Sequence, residues 1–210
     1  MTAPSLLRPD HQRAILAQLA SAVRPGPDID IPHLVELLAT RQAVNEIPRK
    51  PTRTTRSGVQ LLLDMSPSMR PFLRDLHLLV RQLRSVTGQD EVCVLRFTGE
   101  PDLVGDLDGE IRDRPYRPPV SACAVLIATD AGIAAAASGT PPPCRRNWLA
   151  LARTVHGAGC PLILLMPYPP PRWPAWATRH LTLATWDRTT DVASARRTAD
   201  RAANLARSPL

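Results

Sequence analysis

Residues 58–69 read GVQLLLDMSPSM, and this stretch decides the fold. Val59 to Leu63 is a short, nearly all-apolar run. Such a run suits a strand buried on both faces, as in parallel sheets. It ends in a carboxylate and two hydroxyls, Asp64, Ser66 and Ser68, with Pro67 between the serines. Three hard oxygen donors in five residues, at the carboxyl end of a buried strand, make half of a divalent-cation site. The same residues also suit a helix cap, because an amphipathic helix follows at once. In that reading Ser66 or Ser68 caps the helix and Asp64 sits at its positive end.

Working outward, residues 69–87 carry Phe72, Leu76, Leu79, Val80 and Leu83 on one stripe, and Gly88 marks the stop. EVCVLRF (91–97) and CAVLIAT (123–129) read as the next buried strands, and LILLM (162–166) as another. A helix is predicted over 145–156, a short strand over 180–185 and an alanine-rich helix over 191–206. YPPPRWP (168–174) is expected to be polyproline-like. Between Thr98 and Pro119 the chain is rich in Gly, Asp and Pro, and a hairpin or edge strand is expected around Asp108-Gly109. Buried strands alternating with helices imply an α/β fold with a doubly wound, mainly parallel sheet.

In such sheets ligands sit beyond the carboxyl ends of the strands, where the strand order reverses. If the strands at Val92 and Cys123 flank the strand at Val59, then Asp64 and Asp130 emerge at one crevice from adjacent strands. Neighbouring strands lie about 4.8 Å apart, so the two carboxylates face each other. Unneutralised, that pairing is unfavourable, and a divalent cation relieves it. The helix-cap reading accounts for Asp64 but not for the matching Asp130.

DxSxS at 64–68 together with Thr129-Asp130-Ala131-Gly132 resembles the metal-ion-dependent adhesion site (MIDAS) of von Willebrand factor A (vWA) domains. The resemblance covers roughly residues 58–187. It implies a Rossmann-like vWA fold with Asp64, Ser66, Ser68 and Asp130 as metal-site residues. The serines would bind directly and the aspartates directly or through water. Mg²⁺ is the implied ion, with Mn²⁺ and Ca²⁺ as hard-cation alternatives. The family also supplies a threonine from a loop between the two aspartate motifs, and this chain has no clear equivalent. Thr98 is the first candidate and Ser121 the second. Thr129 ranks below them, because strand alternation points it away from Asp130.

The rest of the chain bounds the function. Its 210 residues allow one sizeable domain and an extension. Residues 1–47 read as a helical extension of two short helices. The first is capped by Asp10 and broken by Pro25, Gly26 and Pro27; the second is capped by Asp30. Leu16, Leu19, Leu34 and Leu37 are expected to dock both on the main domain. Residues 48–57 (PRKPTRTTRS) read as an extended linker, and 58–210 as the vWA-like domain.

There is no membrane-spanning run and no signal-peptide pattern. The four cysteines, Cys93, Cys123, Cys144 and Cys160, lack metal-type spacing and read as reduced thiols, so a cytoplasmic protein is expected. The net charge of +7 is carried by scattered arginines, with Lys50 the only lysine. Acidic residues interleave with them, so nucleic acid is not the expected partner. Histidines are scattered, and no nucleophile elbow, phosphate-binding loop or zinc-protease motif occurs. Trp173 and Trp176 suit either a docking patch or a cover over the sheet edge.

Together with the resemblance, these features imply a non-enzymatic, metal-dependent interaction module. Its partner would be a protein whose carboxylate completes the metal's coordination. The compact form resembles bacterial vWA adaptors of multi-component signalling or defence systems. The alternatives are a Mg²⁺-dependent phosphoester hydrolase using Asp64 and Asp130, and a scaffold with a vestigial metal site.

Overall fold

The computed structural model describes residues 5–107, 113–120 and 123–207. In chain order the elements are α1 (Pro9–Leu19), β1 (Ala22–Ile29), α2 (Ile31–Ala39), β2 (Arg49–Thr54), β3 (Val59–Asp64), α3 (Leu73–Thr87), β4 (Val92–Thr98), β5 (Glu100–Asp106), β6 (Arg114–Pro115), β7 (Ala124–Ala128), α4 (Arg145–Gly157), β8 (Leu162–Met166), α5 (Ala175–His180), β9 (Leu183–Thr185) and α6 (Val192–Arg207). Among the described residues three 3-10 turns join them, the first at Pro67–Phe72 directly ahead of α3. Asp108, Gly109 and Ser121, singled out above, lie outside the described residues.

Among the described residues seven strands form one sheet in the order β6-β5-β4-β3-β7-β8-β9, with β3 in the middle. β3 runs parallel to β4 on one side and to β7 on the other, and β8 and β9 continue parallel. At one edge β5 pairs antiparallel with β4 and with β6, so of these seven strands β5 alone runs against the others. The chain goes from β3 outward to β4 and β5, then returns to the other side of β3 as β7. The strand order therefore reverses at β3, which opens a crevice beyond the carboxyl ends of β3 and β7.

All six residues of β3 are buried. Leu61 and Leu63 face one core layer with α1, α3 and α6, while Leu62 faces the other with Trp148, Leu151 and Val155 of α4. Strand alternation thus feeds two helix layers from one apolar run. Trp173 and Trp176 pack against the second layer, and the Trp173 Nε1 donates to the Tyr168 carbonyl at 2.7 Å. They cover the sheet rather than forming an exposed patch.

The amino-terminal region differs from the expectation of two docked helices and a linker. α1 ends at Leu19, and Arg8, not Asp10, is its N-cap residue. Ile15, Leu16 and Leu19 are buried in the main core, so α1 does dock. Pro25, Gly26 and Pro27 do not separate two helices. They lie in β1, which pairs antiparallel with β2, and β2 occupies the stretch read as a linker. Arg53 of β2 bonds the Ser21 hydroxyl at 2.9 Å and pairs with Asp200 of α6, which ties this small sheet to the main body.

α2 is capped by Asp30, which accepts from the His33 N–H. It has no buried residue, so Leu34 and Leu37 do not dock as expected. Its apolar side chains Ile31, Val35 and Leu38 are exposed. Among the described residues no helix is long and apolar enough to cross a membrane.

Candidate metal centre

Asp64 is the last residue of β3 and Asp130 lies two residues beyond β7. The β3–β7 register pairs Leu63 with Ala128, which sets Thr129 opposite Asp64. Asp64 is 4 % exposed and Asp130 1 % exposed, and Ser66 and Ser68 are buried beside them. All four line one cavity with Thr98, Thr129 and Trp148. Asp64, Ser66, Ser68, Thr98 and Asp130 are thus brought together at the crevice where the strand order reverses.

The hydroxyls are spent on carboxylates. Ser66 Oγ donates to Asp64 Oδ1, whose oxygen also accepts the Ser66 N–H at 2.9 Å. Ser68 Oγ donates to Asp130 Oδ1 at 3.2 Å, bridging the two loops. Thr129 Oγ1 donates to Asp64 Oδ2 at 2.7 Å. Ser66 Oγ further accepts the Gly99 N–H at 3.0 Å, which brings the β4–β5 turn to the site. Ser66 occupies the N-cap position of the 3-10 turn and makes no side-chain capping bond. The capping explanation of DxSxS therefore does not describe its serine hydroxyls.

Asp130 is positioned by its own turn. Ala131 and Gly132 both take positive φ, 49° and 79°. This brings the Gly132 and Ala134 N–H groups onto Asp130 Oδ1 and Oδ2, each at 2.9 Å. Gly132 is required twice over. Its φ favours glycine, and a Cβ there would come within 2.2 Å of Pro143 Cδ.

Thr129 has a contact that strand alternation did not foresee. Thr129 and Asp130 both lie beyond the end of β7, where strand alternation no longer applies. Thr129 meets Asp64 instead, through the register between neighbouring strands. Thr98 lines the cavity but is exposed.

Burial pushes the Asp64 carboxyl above its ordinary range, against the hydrogen bonds from Ser66 and Thr129 that pull it down. The charge of Asp130 adds to the upward push as the smallest of these influences. Desolvation, rather than repulsion between the two acids, is thus the main burden on Asp64.

The described lining of the cavity includes no Lys, Arg or His. Among the described residues no three His, Cys, Asp or Glu side chains converge as a metal group. The donor set here is of another type: two carboxylates with serine and threonine hydroxyls. Hard oxygens of this kind fit Mg²⁺, which keeps several waters and takes only one or two carboxylates from the protein. Two buried acids without a neighbouring cation supply the charge such an ion needs. Compared with protein-family models, with curated proteins and with solved structures, the chain finds no match in any of the three.

Proposed function

We propose that the chain is a vWA-like, non-enzymatic adaptor of the bacterial cytoplasm. In this reading it binds Mg²⁺ through Asp64, Ser66, Ser68 and Asp130 and captures a partner protein through a carboxylate on that ion. Mn²⁺ and Ca²⁺ share the chemistry. A signalling or defence assembly is the proposed setting. One observation carries the reading: the DxSxS hydroxyls turn onto the two buried carboxylates and leave the helix start uncapped. A helix cap does not explain that arrangement, whereas two carboxylates beside hydroxyls are hard oxygens of the kind such a cation takes, directly or through water. Thr129 and Thr98 stand beside the site, Thr129 as a bond to Asp64 and Thr98 on the cavity wall.

Calorimetric titration of the ion-free protein with Mg²⁺ tests the proposal. The expected outcome is one site per chain, lost in Asp64→Ala and in Asp130→Ala, with both variants folded by circular dichroism. Wild-type protein that takes up no Mg²⁺, Mn²⁺ or Ca²⁺ at millimolar concentration would leave a scaffold without a working site.

A further inference from the structure

The end of the sheet opposite to Asp64 and Asp130 gathers thiols. Cys93 is in β4, Cys123 lies one residue ahead of β7 and Cys160 two residues ahead of β8. The Val125 N–H donates to the Pro161 carbonyl at 2.8 Å, so the two segments already run side by side where the strands begin. There the Cys123 S–H donates to Cys160 Sγ. Neighbouring strands lie about 4.8 Å apart, and a disulfide spans Cα separations of about 4.4–6.8 Å. The pair therefore sits within bonding reach while the strand pairing stays as it is.

The two thiols also differ in kind. The hydrogen bond to Cys160 and burial push the Cys123 thiol up, so Cys123 keeps its proton. The same bond pulls the Cys160 thiol down to about 7 against its own burial, and the charge of Arg24 adds to that pull. Cys160 is fully buried, whereas Cys123 lines a cavity of about 260 Å³ at the amino ends of the strands. Asp90, Glu91 and Cys93 in the wall of that cavity are exposed, so it opens to solvent. Packing accounts for a small apolar residue at either position. It does not account for two thiols bonded to each other with one of them on a cavity wall.

We infer that Cys123 and Cys160 form a reversible disulfide when hydrogen peroxide enters by this cavity. Cys123 Sγ attacks one peroxide oxygen, the O–O bond breaks, and the Cys123 proton passes to the Cys160 thiolate. Cys123 becomes a sulfenic acid and hydroxide leaves. Cys160 Sγ then attacks Cys123 Sγ. The S–S bond forms, the S–O bond breaks, and the sulfenic oxygen departs as water with the Cys160 proton. The peroxide ends as hydroxide and water, and the two thiols together give up two electrons. Transient links of this kind are the form disulfides take in a reducing compartment. The link ties β7 to β8 at the end of the sheet far from Asp64, so it neither uses nor depends on the ion site.

The test treats the reduced full chain with hydrogen peroxide and reads the intact mass and a map of the cysteine peptides. One internal Cys123–Cys160 link is expected, with the mass of two hydrogens lost, and dithiothreitol should restore both thiols. This link should outnumber every other internal pairing by about tenfold or more, because the two sulfurs are held together before reaction. The double variant Cys93→Ser/Cys144→Ser removes the exposed thiols, leaves the buried pair untouched and should form the link as wild type does. Oxidation of Cys93 and Cys144 while Cys123 and Cys160 stay thiols in the folded chain overturns the proposal. A Cys123–Cys160 link that forms only once urea has unfolded the chain overturns it as well.

Discussion

Asp64 carries the physical tension of the site. Its carboxyl is raised above 3.8, first by burial and least by the charge of Asp130. The folded state therefore holds the proton more tightly than the unfolded chain does. The stability this gives is complete below the unfolded value of about 3.8 and is lost as pH rises through the raised folded value. At neutral pH and without an ion, the buried charge works against folding. Asp64→Asn removes the charge and keeps the shape. It should melt higher than wild type at pH 7 in chelator, and the gap should close as pH falls toward 3.8. Thermal melts across that range check this, and an Asn variant that melts lower at pH 7 contradicts it. Asp64 and Asp130 were legible in sequence because each stands at the carboxyl end of a buried apolar run. Thr129 was not, because its contact with Asp64 depends on the inter-strand register that pairs Leu63 with Ala128, and no local pattern encodes that.

Among the elements, α1 and α2 look alike in sequence and behave differently. Both show an apolar stripe, yet only α1 meets α3 and α6 in the core. Leu16→Ala should lower stability by about 2–5 kcal/mol, since Leu16 is fully buried. Val35→Ser, on the exposed face of α2, should change it by no more than about 0.5 kcal/mol. Denaturant titration of the two variants distinguishes a docked helix from an undocked one, and comparable losses would place α2 in the core.

The β1–β2 pair shows why this region resisted reading. β1 has no alternation of buried and exposed positions, because little of it is covered. Its Pro25-Gly26-Pro27 segment looks like a breaker until its partner is known. Gly26 then has a physical reason, since a Cβ would come 2.3 Å from Thr52 Oγ1 on the neighbouring strand. A strand defined by a distant partner, rather than by its own periodicity, leaves no local trace. β3, β7 and β8 do leave one, because burial on both faces forces every residue to be apolar or internally bonded.

At the scale of the whole molecule, the central place of β3 turns the sheet into a device for bringing two acids together. β4 and β7 flank it, so the two aspartates arrive from adjacent strands at one rim. The rim position matters for stability. The carboxylates lie at the end of the sheet, while the leucines of β3 in the layers beneath carry the fold. An ion bound there should stabilise the native state by mass action alone. At a hundred times its dissociation constant the gain is about 2.7 kcal/mol. For a chain of this length that raises the melting temperature by roughly 5–10 °C. The same rise should be absent in chelator. It should also be absent in Asp130→Asn, whose amide keeps the turn acceptor for one of the Gly132 and Ala134 N–H groups but loses the charge. Differential scanning calorimetry with and without Mg²⁺ reads it directly. If the wild-type melt does not move with Mg²⁺, Mn²⁺ or Ca²⁺, the acids are balanced by their hydroxyls and amides alone, and the rim is a hydrogen-bonded lock between β3 and β7 instead of an ion site.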